Sequence, residues 1–129
     1  GYYAWRGLAF EIVCLLHISQ LKKALGISGV DSMEYTWKSD AVKNGAQIDL
    51  LIDRRDQVVN LCEMKYTQDM FSIDQEYEKD LLHKRECFIS ETKTKKSVYL
   101  TMVTVNGLVQ NAHSGIIQNT ITAEDLFQP

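Results

Sequence analysis

Gln47-Ile48-Asp49-Leu50-Leu51-Ile52-Asp53-Arg54, then Arg55-Asp56-Gln57, then Val58-Val59-Asn60-Leu61-Cys62-Glu63-Met64-Lys65-Tyr66 is the stretch that decides the fold. In its first limb Ile48, Leu50 and Ile52 alternate with Gln47, Asp49, Leu51 and Asp53, the period-two pattern of a strand. Arg55-Asp56-Gln57 makes a tight turn and Val58 to Tyr66 the next strand, so the two limbs form a hairpin. Glu63 and Lys65 stand two apart and share a face, with Cys62 and Met64 on the other. Asp49 lies fourteen positions before Glu63, and a turn this short sets the two carboxylates side by side across the ladder. Such neighbours repel unless something positive stands between them. Lys65 is one candidate; a hard divalent cation, Mg2+ or Mn2+, is the better match to carboxylate oxygens. Spacing alone leaves equal room for an ordinary cross-strand ion-pair cluster.

Outward from the hairpin, Ala4 to Leu25 has helical periodicity, with Leu8, Ile12, Leu15, Leu16 and Leu21 at three- and four-residue steps and Gly26 as a stop after Lys22 and Lys23. Glu11 falls in that apolar stripe. A carboxylate aimed at a core costs several kcal/mol unless paired or metal-bound, so Glu11 needs a partner, either the metal site or a structural Lys or Arg. Met33 to Lys38 reads as a strand and Ser39 to Gly45 as a polar turn. Ser72 or Asp74 caps a second helix running to about Thr92, with Ile73, Tyr77, Leu81 and Phe88 in its stripe. Val98 to Val105 is a strand, Asn106-Gly107 a two-residue hairpin signal, and Leu108 to Asn111 the expected return strand. Glu124 to Phe127 is a terminal helical turn. The order helix, three strands, helix, two strands predicts an α/β sandwich with a mixed central sheet. Trp5, Tyr35, Trp37 and Phe88 are expected in its core.

A chain of 129 residues is the size of one domain,. Its net charge of −3 argues against a constitutive nucleic-acid coat but not against a carboxylate-rich hydrolytic site,. Cys14, Cys62 and Cys87 are odd in number and far apart, which argues against a disulfide framework or a structural zinc site and reads as three small buried hydrophobes in a reducing, cytoplasmic setting. Leu8 to Leu16 is too short to span a bilayer and contains Glu11, so no membrane role is expected. His17, His83 and His113 lack metal-ligand spacing and read as surface or partly buried residues. The lysines Lys93, Lys95 and Lys96 read first as a solvated loop, and Gln47 and Asp53 first as plain strand polar groups. The first residue is Gly1, not Met, and the expectation is a single domain, residues 1–129, cut from a longer polypeptide.

Asp49, then Glu63-Met64-Lys65, preceded by an acidic helix residue at Glu11, resembles the PD-(D/E)XK, or restriction-endonuclease-like, nuclease superfamily. The wider text, Gly45-Ala46-Gln47-Ile48-Asp49-Leu50-Leu51-Ile52-Asp53-Arg54 and Cys62-Glu63-Met64-Lys65-Tyr66, is similar to the nuclease-like domain at the C-terminus of bacterial and archaeal AAA-class ATPases. Ile48 stands where the superfamily usually has proline. The resemblance implies a restriction-endonuclease-like sandwich in which Asp49, Glu63, the Met64 carbonyl and Glu11 hold Mg2+ or Mn2+. It implies that Lys65 orients the attacking water or stabilises charge on the phosphate. Gln47 and Asp53 would line the groove, and Lys84, Arg85, Lys93, Lys95 and Lys96 would meet a phosphate backbone. The implied function is phosphodiester hydrolysis of nucleic acid, DNA before RNA, beside an N-terminal ATPase domain of the same polypeptide, with self-association left open. No Gly-rich Gly-Lys-Ser/Thr loop occurs, so this fragment lacks that route to ATP. The alternatives are an inactive docking or oligomerisation module of the ATPase, and a small-molecule phosphodiesterase or RNA-processing hydrolase built on the same site.

Overall fold

The hairpin sits at the middle of a five-stranded mixed sheet. The computed structural model describes residues 1–41 and 43–128, with the backbone alone for Tyr3; Val42, within the expected Ser39 to Gly45 turn, lies outside the described residues. In chain order the elements are α1 (Tyr2–Leu16), α2 (Ile18–Ala24), β1 (Ser32–Lys38), β2 (Gln47–Arg54), β3 (Val58–Lys65), α3 (Gln75–Thr92), β4 (Ser97–Thr104), a 3-10 turn (Ser114–Ile116), β5 (Asn119–Thr122) and α4 (Ala123–Leu126). Strands follow the order β1-β2-β3-β4-β5. The first three pair antiparallel, whereas β4 and β5 join in parallel. Gln57 closes the hairpin at φ 72°, a left-handed conformation that lets the chain reverse in so few residues,.

Two apolar layers cover the sheet. On one face Leu50, Ile52, Cys62, Met64, Val103 and Ile121 pack with Phe10 and Cys14 of α1, Leu21 of α2 and Leu126 of α4. On the other, Ile48, Leu51, Val59, Leu61, Leu100 and Met102 pack with Leu81 and Phe88 of α3. The result is an α/β sandwich, helices on both faces of a mixed sheet. Asp74 is the residue that caps α3, its carboxylate accepting the Tyr77 N–H at 2.7 Å,.

One irregularity matters for the site. Tyr35 pairs with Leu51 but Trp37 with Ile48, so Thr36 of β1 faces two residues of β2, Asp49 and Leu50. This is a β-bulge, which breaks strict alternation. Ile48 therefore lies with Leu51 on the α3 face, not with Leu50 and Ile52 as alternation predicts. The bulge leaves Asp49 at the break, re-aimed relative to its neighbours.

Other expectations are corrected. The first helix is two helices: His17 leaves helical geometry at φ −122° and ψ 39°, and its ring Nδ1 lies 2.7 Å from the Val13 carbonyl. The stripe Leu8, Ile12 and Leu16 faces solvent, at 57%, 48% and 76% exposure, and α1 buries Phe10 and Cys14 instead. Trp5 is exposed at 67% rather than core, and Tyr35 is also exposed, while Trp37 meets the buried Phe88 edge-on. Cys87 is half-buried, its sulfur near the Asn44 carbonyl and His83.

No return strand follows Asn106-Gly107. Gly107 turns at φ 97°, and the chain docks sideways on the loop after β3: the Asn106 amide donates to the Thr67 and Gln68 carbonyls, and Phe71 and Gly107–Val109 exchange backbone bonds. The edge of β4 is taken by β5. Gln118 bonds Leu100 through both backbone and side chain. The amide of Asn60, wholly buried on β3, donates to Thr101 at 3.0 Å and to Asn119 at 3.1 Å, tying three strands together.

Candidate functional site

Where β2 and β3 run past their last paired residues, Leu50 and Cys62, Asp49 and Glu63 are the next residues to oppose each other. Their carboxylates are bound reciprocally to backbone: Glu63 Oε2 accepts the Asp49 N–H and Asp49 Oδ2 accepts the Met64 N–H, both at 3.2 Å. Glu63 and Lys65 leave β3 toward α3. From α3 come Tyr77, Asp80 and Lys84, at helical spacings of three and four that share one face. From α1 come Ala4, Gly7, Leu8 and Glu11. Together with Met64 and Tyr66 these residues line an open cavity of about 500 Å³.

The electrostatics are lopsided. Glu11, Asp49, Glu63 and Asp80 set four carboxylates against the ammonium groups of Lys65 and Lys84. The Glu63 carboxyl is held above the ordinary range, first by burial and then by the Asp49 charge, with Lys84 pulling the other way. Burial and then Asp49 likewise raise Glu11. The same field reaches Cys14, whose thiol is pushed up to about 12 by burial, Glu11 and Asp49 in that order. Tyr77 is raised as well, by burial and then by Glu63 and Asp49, so its phenol keeps its proton at neutral pH.

The sequence-predicted residues divide. Glu11, Asp49, Glu63, Met64 and Lys65 all line this cavity, although Glu11 reaches it from beside the exposed stripe of α1, not from a buried one. Gln47 and Asp53 do not join them. Gln47 is exposed at the strand end, and Asp53 pairs with Lys96 at 2.6 Å beside a separate depression lined by Asp31, Ser32, Met33 and Arg55. A four-residue separation along β2 carries Asp53 about 13 Å from Asp49, too far to share a groove wall with it. Lys96 is spent on Asp53 and the Arg54 carbonyl, while Arg85, Lys93 and Lys95 lie off the cavity lining.

The positive partner of Glu63 is Lys84, not Lys65. Lys65 lies over the Tyr77 ring at 5.0 Å and the Phe71 ring at 6.0 Å, and has no carboxylate within ion-pair reach among the described residues. The sequence does carry a signal for Lys84. It falls inside the α3 stripe, three residues after Leu81 and four before Phe88, the same kind of anomaly that Glu11 shows on the first helix.

The donor set suits a hard cation: two opposed carboxylates beside a backbone carbonyl at Met64,. As they stand, with Glu63 engaged by Lys84, no three Asp, Glu, His or Cys side chains among the described residues group closely enough to hold a metal ion.

Fold and site together define an α/β sandwich with a carboxylate-rich cavity between the sheet, α1 and α3. Neither a family model nor a curated protein matches the chain. One solved structure, described as a crystal structure of the protein of unknown function AF1548, is similar in fold, with a TM-score of 0.50 and 14% identity over 85% of this chain and 61% of that one. No helix among the described residues is long and apolar enough to cross a membrane.

Proposed function

We propose that the chain is a metal-dependent phosphodiester hydrolase domain of restriction-endonuclease-like type, acting on nucleic acid, DNA foremost, as the accessory of an AAA-class ATPase portion of a longer polypeptide. The observation that carries this is the convergence of Asp49, Glu63 and Lys65 with Glu11 in one open cavity. Asp49, Glu63 and the Met64 carbonyl would hold Mg2+ or Mn2+, with Glu11 acting directly or through water. The ion would supply a polarised phosphate and a bound water of lowered pKa. Lys65, with no carboxylate to neutralise it among the described residues, is available to a water or a phosphate oxygen. Asp49 and Glu63 are themselves fixed by backbone N–H groups, so the donor pair is oriented before anything binds,. Glu11 retains a proton more readily than an exposed glutamate and is suited to exchange it with a water in the cavity,.

Thermal melts with MgCl2 or MnCl2, together with cleavage assays on single- and double-stranded DNA and RNA, test the proposal. The wild-type melt is expected to rise with metal, and Glu63→Gln to abolish the rise. A wild-type melt unmoved by millimolar metal sinks the proposal.

A second reading is favoured by the apolar face that Trp5, Leu8, Ile12 and Leu16 present beside the cavity. A soluble domain rarely leaves such a face uncovered, which fits a non-enzymatic docking or oligomerisation module of the ATPase. Metal binding without cleavage of any substrate, combined with self-association lost in Leu8→Gln/Ile12→Gln, would favour it.

A further inference from the structure

Lys84 occupies the position of a counter-ion that the motif residues do not supply. Its ammonium contacts Glu63 Oε1 in a pair nearly shut off from solvent, the side chains being 18% and 6% exposed. A pair this dry is favourable only while both partners stay charged. A divalent cation seated at Asp49 and Glu63 is attracted by two carboxylates, whereas Lys84 is held by one. The ammonium and the dication repel each other at that range, so the weaker claimant leaves. The four-carbon stem of Lys84 allows it to move. Asp80, one turn earlier on α3, lines the same cavity and offers a second carboxylate to the displaced ammonium. Tyr77, two turns before Lys84 on that face, carries a buried hydroxyl with no hydrogen-bond partner among the described residues. Among the described residues, the α3 helix thus brings to the cavity one hydroxyl without a partner and one cation engaged by Glu63 alone.

We propose that Lys84 is an exchangeable counter-ion: it holds the Glu63 side chain in place without metal, yields Glu63 to a divalent cation, and then presents its ammonium to the phosphate that the cation attracts. This rests on the cavity being a metal-dependent phosphodiester site. It assigns the phosphate contact to a lysine on α3 beside, and distinct from, Lys65 on β3. Its signature is a pair of effects of opposite sign. Removing the ammonium strengthens metal binding, because a competing positive charge is gone, and weakens phosphate binding.

The test is calorimetric titration of the chain at pH 8 with MnCl2, and of its complex with CaCl2 by a single-stranded phosphorothioate DNA oligonucleotide. Lys84→Met is expected to bind Mn2+ about tenfold tighter and the oligonucleotide about tenfold weaker, the size of change typical for a close charge contact. Mn2+ affinity unchanged or reduced in Lys84→Met overturns the counter-ion role while leaving the metal site standing. A wild-type chain that takes up no Mn2+ overturns both. Should Lys84→Met not fold, the wild-type chain labelled with 15Nζ-lysine decides the same question. The Lys84 ammonium resonance, assigned by its loss in Lys84→Arg, is expected to shift on titration with MgCl2 and to stay put in Asp49→Asn. A Lys84 resonance unmoved at saturating MgCl2 refutes the exchange.

Discussion

Replacing Asp49 by Asn should make the metal-free protein more stable and the metal-loaded protein less so. The amide is nearly isosteric and its oxygen can still accept the Met64 N–H that Asp49 Oδ2 accepts at 3.2 Å. What is removed is the charge that, after burial, does most to raise the Glu63 and Glu11 carboxyls above the ordinary range. Two unit charges about 5 Å apart at an effective dielectric of about 20 repel by roughly 3 kcal/mol. Lys84 and the open side of the cavity offset part of this, leaving an expected gain of about 1 kcal/mol, or about 3–5 °C in Tm for a domain of this size. Metal acts in the opposite direction: at ten times Kd the wild-type chain gains about 1.4 kcal/mol, and Asp49→Asn gains little. Acidity supplies a second axis. Glu63 is raised in the folded state, so its contribution to stability is fully present below the unfolded glutamate value and is lost as pH rises through the folded one. Asp49→Asn lowers that folded value and should flatten the loss. Urea melts with and without MgCl2 across pH 4 to 8 read all of this. A metal-free variant less stable than wild type throughout, with an unaltered pH profile, would show that Asp49 does not press on Glu63, and the electrostatic account of the site would fail.

Two further outcomes follow from the core. Asn60→Ala removes donors to Thr101 and Asn119 and leaves the Arg54 guanidinium, which donates to Asn60 Oδ1 at 3.0 Å, without that partner. A loss of about 2–3 kcal/mol in urea denaturation is expected, with early exposure of β5 in hydrogen exchange. Thiol titration of the native chain with a disulfide reagent should modify Cys87 first. Cys14 and Cys62 are buried and their thiols pushed far up, by burial above all, so they should react only at the rate of unfolding,. Rapid native-state reaction at either buried cysteine would contradict the packing of α1 on β3.

The β2–β3 hairpin is legible in the sequence because its information is local: alternation fixes the strands, and a three-residue turn fixes their partnership. The bulge is not, because a one-residue insertion between Tyr35/Leu51 and Trp37/Ile48 depends on the partner strand and leaves no mark in the period of β2. The buried face of α1 escapes periodicity for a different reason. That helix is apolar nearly all round, with Arg6 and Glu11 as its charges, so periodicity offers several stripes and only tertiary docking selects Phe10 and Cys14. Asn106-Gly107 is a true turn but a local signal, whereas the place of β5 is set by parallel pairing and by the side chains of Asn60, Gln118 and Asn119 far away in sequence. Glu11, Asp49, Glu63 and Lys65 can be named from the sequence. Lys84 stands out as an anomaly in a stripe, but its attachment to Glu63 spans the crossover between β3 and α3 and requires the fold.

The charge of the cavity bears on the order in which things can bind there. Four carboxylates facing two ammonium groups repel an incoming phosphate, and the chain as a whole carries −3, so no long-range attraction for a polyanion compensates,. Burial worsens the imbalance, since Glu63 is ionised at a cost that Asp49 increases and Lys84 only partly offsets. A divalent cation reverses the sign of the argument at one stroke: it lowers the cost of both carboxylates, makes the floor of the cavity attractive to phosphate, and leaves Lys65 and Lys84 as surplus positive charge on the side from which phosphate must come. On the proposed function, metal is therefore the first ligand and nucleic acid the second. The non-local attraction that nucleic acid needs must then come from surfaces other than this acidic domain, which is the physical reason to expect it to work beside a partner and not alone.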